Sequence, residues 1–162
     1  MSTANDWINR LQLEPHPEGG FFRQTMKSDE TITTADGRNR ARYTSIHFLV
    51  RSGEPSRLHR LESDEMWYYH TGAPLDVHMI HPDSGSHDIL TLGPNPADGE
   101  VLQGVVPKGV IFGAEIRTPE QFALVSCVVV PGFDFADFEL LARDELTAAY
   151  PEHREVIERL TW

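Results

Sequence analysis

Between Arg42 and Val130 the chain is cut into short runs of β-branched and aromatic residues by clusters of proline and glycine. That punctuation constrains the fold more than any other feature. The runs are Arg42–Val50, Met66–His70, Leu75–His81, Asp88–Leu92, Val101–Val106, Val110–Ile116 and Phe122–Val130. Pro/Gly turns such as Thr71-Gly-Ala-Pro74, Pro82-Asp-Ser-Gly85 and Pro107-Lys-Gly109 stand between them. No helical pattern alternates with these runs, which excludes a parallel sheet with crossover helices and leaves an all-β sandwich, jelly roll or barrel.

Helices are expected only at the ends. Trp7, Ile8 and Leu11 recur at helical spacing behind the candidate caps Ser2, Thr3 and Asn5, and the pattern stops before Pro15 and Pro17. After Gly132, Phe138, Leu141 and Leu146 line one side of an expected helix with the i,i+4 pair Glu139→Arg143. A second helix is expected from Pro151, carrying Val156, Ile157 and Leu160 with the pair Glu155→Arg159. The reading is one domain over residues 1–162, with a β-barrel over about 20–131 and two C-terminal helices over about 134–160 that cover an open end.

Charge narrows the partners. Fourteen Lys+Arg against 25 Asp+Glu leave a net charge of −11, and only Arg38, Arg40 and Arg42 are closely spaced. A polyanion needs clustered cations, so neither nucleic acid nor an anionic membrane is an expected partner. The apolar run Phe122–Val130 is too short to span a bilayer, and the N-terminus lacks the pattern of a secretory signal. A cytoplasmic location is the expectation. Cys127, the single cysteine, sits inside that run and reads as a small buried hydrophobe.

Eight histidines are many for 162 residues. His16, His87 and His153 lie in polar or proline-rich surroundings and read as surface residues. His78 and His81 are three apart, so a regular strand points them to opposite faces. The informative stretch runs from Gly53 to Gly72 and holds His59, Leu61 and Glu65. It resembles the first cupin motif, G-x5-H-x-H-x3,4-E-x6-G, with Leu61 in place of the second histidine. Pro107-Lys-Gly109 matches the turn of the second motif, but Phe112 and Ile116 stand where that motif has His and Asn.

Further blocks are Pro15-His-Pro-Glu-Gly-Gly20 with Arg23, His59-Arg-Leu61 with Ser63-Asp-Glu65, Trp67 and His70, Gln103-Gly-Val-Val-Pro107, and Val130-Pro-Gly-Phe-Asp-Phe135 with Phe138. Together they are similar to the cupin-5 family, also called domain of unknown function 985. The resemblance runs from about Leu13 to Leu160. It implies a cupin double-stranded β-helix, that is, a jelly-roll barrel, commonly a homodimer, with a polar pocket and no assigned substrate.

In such a barrel His59 and Glu65 form the expected working pair. Glu65 would hold one ring nitrogen of His59 and leave the other free to move protons. Tyr69 or Tyr43 would donate a proton, and a small polar metabolite would be held by Arg23, His47, Trp67, Gln103 and Phe112. By analogy with metal-independent cupin epimerases the chemistry would be isomerase-like proton transfer with no cofactor. The alternatives are a divalent metal ion held by His59, Glu65 and Gln103, with His70 or His47 as substitutes, and a non-catalytic metabolite-binding module. Trp67, Tyr69 and Phe112 read equally as barrel packing. Glu18 and Arg23 read either as an exposed ion pair or as contacts at the pocket rim.

Overall fold

Two antiparallel sheets face one another in the computed structural model, which describes residues 1–162. The chain opens with α1 (Ala4–Leu11), capped by Thr3, whose hydroxyl accepts from Asp6 N–H while the Asp6 carboxylate accepts from Thr3 N–H. Strands β1 (Glu14–Pro15) and β2 (Phe21–Lys27) form a first hairpin, and β3 (Thr31–Thr33) pairs with β4 (Asn39–Ala41) as a separate ribbon. The body follows as β5 (Thr44–Arg51), β6 (Ser56–Arg60), β7 (Asp64–Gly72), β8 (Leu75–Ile80), β9 (His87–Leu92), β10 (Gln103–Val106), β11 (Ile111–Glu115) and β12 (Phe122–Val130). A short β13 (Glu139–Leu140), α2 (Arg143–Ala149), a 3-10 turn (Pro151–His153) and α3 (Arg154–Arg159) complete it.

The six-stranded sheet runs β1-β2-β5-β12-β7-β10 and the five-stranded sheet β13-β6-β11-β8-β9. This is the expected jelly roll. Alternation sends Phe48, Val50, Trp67, Val125 and Cys127 inward from one sheet to meet Leu75, Val77, Phe112 and Ala114 from the other. Outside the barrel, α1 packs Trp7, Ile8 and Leu11 over Leu49 and Leu124. The C-terminal helices pack Leu146, Val156, Ile157 and Leu160 over Leu58, Ile80 and Ile111. No helix is long and apolar enough to cross a membrane.

The C-terminal segment corrects the sequence reading. The first helix begins at Arg143 rather than near 134, because residues 131–141 cross the barrel end as a non-helical strap with a turn at Phe135–Asp137. Gly132 N–H donates to Ala41 O and Phe133 N–H to Thr44 Oγ1. Asp137 is paired with Arg40 (2.6 Å) and Arg38 (2.5 Å). Glu139 therefore bonds Arg60 across β6 instead of Arg143, and Arg159 reaches Glu115 on β11 instead of Glu155. Residues 151–153 are 3-10, and the α-helix starts only at Arg154.

Candidate active site

His59 and Glu65 are both almost fully buried, at 2% and 7% exposure, and both line one cavity of about 80 Å³ between the sheets. They reach it from opposite walls. β6 belongs to the five-stranded sheet and β7 to the six-stranded one, so Glu65 faces His59 across the barrel rather than from a neighbouring strand. The carboxylate that holds His59 is a different one. Glu18 Oε2 lies 3.2 Å from His59 Nδ1, and the same nitrogen donates to Arg57 O at 2.6 Å. Engaging Nδ1 places the neutral ring's lone pair on Nε2.

The local chain dictates this placement. His16 N–H donates to Gly20 O and Gly19 N–H to His16 O, closing a tight loop between β1 and β2. Arg57 N–H donates to Glu18 O at 2.7 Å and docks that loop onto β6. Gly19 has φ +111°, and a Cβ there would lie 2.1 Å from Pro55 O, so only glycine permits the approach. His16 and Glu18 are thereby turned inward, at 9% and 8% exposure. This corrects the surface reading of His16 and the exposed ion-pair reading of Glu18. The signal was present in the two glycines of Pro15-His-Pro-Glu-Gly-Gly20, which mark a close backbone approach as readily as an exposed turn.

Within the cavity Glu18 accepts from the Ser56 hydroxyl, and its Oε1 is 3.2 Å from His16 Nδ1. Glu65 has a thiol hydrogen bond from Cys127, while its Oε2 is buried with no partner. Burial pushes the Glu65 carboxyl up to about 8, with the Glu18 charge adding to the shift. Burial also raises Glu18, and it drives His59 down to about 4 against the opposing pull of Arg57 O. His16 is lowered by burial. Near neutral pH His59 is thus an unprotonated base and Glu65 a protonated acid.

Aromatic residues pack around the two imidazoles. Phe112 lies against the His59 ring with centroids 4.0 Å apart, and Phe138 is 5.4 Å from the same ring. Phe133 and Phe135 of the strap line the cavity with Phe22, and all three pack around His16. A wider groove of about 1010 Å³ lies outside the strap, but its Arg38 is already paired with Asp36 and Asp137.

The other expected site residues lie elsewhere. Trp67 is buried in the core at 1% exposure and meets Phe112 edge-on at 6.3 Å, so both pack the barrel interior. Tyr69 shares the inward face of Glu65 but is four residues along β7, roughly 13 Å away, and its hydroxyl donates to Gly72 O. Tyr43 is exposed and donates to Met26 Sδ. His47 points outward, because Thr44, Ile46, Phe48 and Val50 take the inward positions of β5. It contacts Ser126 Oγ at 3.2 Å, as does His70 at 2.6 Å. Arg23 is its exposed cross-strand neighbour. Gln103 is exposed on β10, on the face opposite buried Val106. The expected metal set of His59, Glu65 and Gln103 is therefore not assembled, and no three His, Cys, Asp or Glu side chains are placed to share an ion.

Comparison with known proteins gives the same architecture. The family model Cupin_5, described as cupin superfamily (DUF985), matches residues 5–141. Uncharacterized protein YML079W of Saccharomyces cerevisiae is 33% identical over 160 residues, covering 90% of this chain and 79% of that protein. A hypothetical protein from Leishmania major superposes with TM-score 0.94 at 39% identity over 99% of both chains. Protein SO0799 from Shewanella oneidensis superposes with TM-score 0.93 at 44% identity, over 100% of this chain and 99% of that one. Oxalate decarboxylase of Bacillus subtilis, at TM-score 0.56 and 17% identity over 91% of this chain and 37% of its own, shares the fold alone.

Proposed function

We propose, from the premise that this chain belongs to the cupin-5 family, that its barrel binds a small polar metabolite and moves protons on it without a metal. The observation that carries this reading is the arrangement around His59. Glu18 and Arg57 O engage Nδ1, Nε2 is left free, and Glu65 presents an unpartnered oxygen to the same cavity. His59 Nε2 takes a proton from the ligand, whose electron pair stays on the ligand. Glu65 delivers its own proton to an acceptor atom of that ligand, and the reverse transfers restore both groups. The imidazolium formed in passing is stabilised by Glu18, 3.2 Å from Nδ1. Glu18 takes the orienting role that the sequence had given Glu65, and Glu65 takes the acid role given to Tyr69 or Tyr43.

The test is exchange of carbon-bound hydrogen for deuterium on hydroxyacetone and dihydroxyacetone, followed by NMR in D2O. His59 must be unprotonated and Glu65 protonated, so the rate should be bell-shaped with limbs near 4 and 8. His59→Gln and Glu65→Gln should each lower it roughly 10²–10⁴-fold. Exchange that survives His59→Gln, or is absent from the wild-type protein, would leave a binding module in place of an enzyme.

A further inference from the structure

The cavity's own chemistry narrows what can enter it, and this step rests on the proposed use of His59 and Glu65. Its lining contains His16, Glu18, His59 and Glu65 but no lysine or arginine. The two arginines that flank His59 on β6 are engaged elsewhere: Arg57 places its guanidinium over the Trp162 ring at 3.3 Å, and Arg60 pairs with Glu139 at 2.7 Å. Both imidazoles are held in the neutral form by burial. An anion would therefore leave water for a space with two carboxyl groups and no positive charge, which costs far more than burying a neutral polar group. A neutral group that both accepts and donates meets partners already in place. The Glu65 carboxyl donates, and His59 Nε2 and Glu18 accept.

Size sets the second limit. At about 80 Å³ the cavity receives one end of a small molecule. Of the lining residues only Gln24 and Phe135 are exposed, so the rest of a larger molecule leaves between them. We infer that the cavity receives the uncharged carbonyl end of a small molecule, with a hydrogen-bond donor or an acidic C–H beside the carbonyl, and rejects carboxylate and phosphate ends. The carbonyl oxygen accepts from Glu65, and the adjacent N–H, O–H or C–H faces His59 Nε2.

Acetamide and acetate have the same shape and differ in charge, so they test this directly at pH 7. Titration of each into the wild-type protein, labelled for NMR at the His59 ring nitrogens and the Glu65 carboxyl carbon, should show saturable millimolar shifts with acetamide. Acetate should bind at least tenfold more weakly. Glu65→Gln keeps a donor and should retain acetamide binding, whereas Glu65→Leu should lose it. Acetate binding as tightly as acetamide, or no shift at either residue with acetamide, overturns the inference. Acetamide binding without hydrogen exchange on hydroxyacetone would instead overturn proton transfer and leave the ligand class standing.

Discussion

The molecule holds two clusters built from the same residue types, and their environments drive them apart. Inside the barrel, His16, Glu18, His59 and Glu65 share a cavity without a lysine or arginine. Outside, between the five-stranded sheet and the C-terminal segment, His78, His87, His153 and Glu115 sit beside Arg159. His78 Nδ1 is 2.9 Å from His87 Nε2, and His78 Nε2 is 2.9 Å from Glu115 Oε2. Arg159 closes on Glu115 at 3.0 Å, and His153 Nε2 donates to Gly85 O. The His78 ring nitrogen 2.9 Å away, helped by Arg159, holds the Glu115 carboxyl down to about 2. Glu65, lacking a cation, is pushed up to about 8. Neutralised charge makes the outer cluster a fastening for the C-terminal helices. Unrelieved burial makes the inner one chemically poised, at a cost to stability.

The largest test of this contrast is Glu65→Gln. Between the ordinary value of 4.5 and about 8 the folded protein keeps a proton on Glu65 that the unfolded chain has released. Its penalty is therefore absent below about pH 4.5, grows as pH rises, and is complete near pH 8, on the order of 5 kcal/mol. Glu65→Gln should remove that slope, so urea unfolding at pH 5 and pH 8 should differ much less in the variant than in the wild type. An unchanged slope would mean that Glu65 is ionised and solvated, and the inner cluster would then resemble the outer.

Glu115→Gln should act in the opposite direction on the pH axis. A carboxyl whose folded value lies below its unfolded one contributes stability above about 4.5, and this is lost as pH falls toward 2. Glu115 is partly solvated, so after screening the contribution is roughly 1–2 kcal/mol. Unfolding free energies should fall by that amount at pH 6 and converge with the wild type near pH 2–3. Activity in the exchange assay should be untouched, since no atom of this cluster reaches the cavity.

The different legibility of the two clusters has a physical cause. Period-two alternation and Pro/Gly turns are local signals, and they marked the barrel and brought His59 and Glu65 to one cavity. The same parity shows Gln103 sharing a face with Val105 and opposing Val106, so its outward position was readable once β10 was placed. Tyr69 had the correct face, but parity carries no information about distance along the barrel. His16 was missed, and Glu18 was left between an exposed ion pair and the pocket rim, because a Pro/Gly loop looks alike whether it faces water or docks on another strand. The deciding contact, Gly19 against Pro55 O, spans 36 residues (55 − 19). The strap misled for a related reason. Phe138 and Leu141 have helical spacing, yet the Arg40–Asp137 pair and Phe133 on the cavity hold the strap out of a helix.

Arg159→Met is the smallest expected change, and it separates two explanations of the outer cluster. The Arg159 head is half exposed, at 51%, and exposed ion pairs contribute about 0–1 kcal/mol. His78 is nearly fully buried at 3%, and its close approach to Glu115 is the larger influence on that carboxyl. If the buried imidazole does most of the holding, Arg159→Met should cost well under about 1 kcal/mol at pH 6 and less still in 1 M salt, where the Debye length is roughly 3 Å. The acid limb contributed by Glu115 should survive in the variant with only a small upward shift. A loss equal to that of Glu115→Gln would assign the fastening to the arginine. The two clusters would then differ only by the presence of one cation, and the imidazole chain from His78 to His87 would be incidental to it.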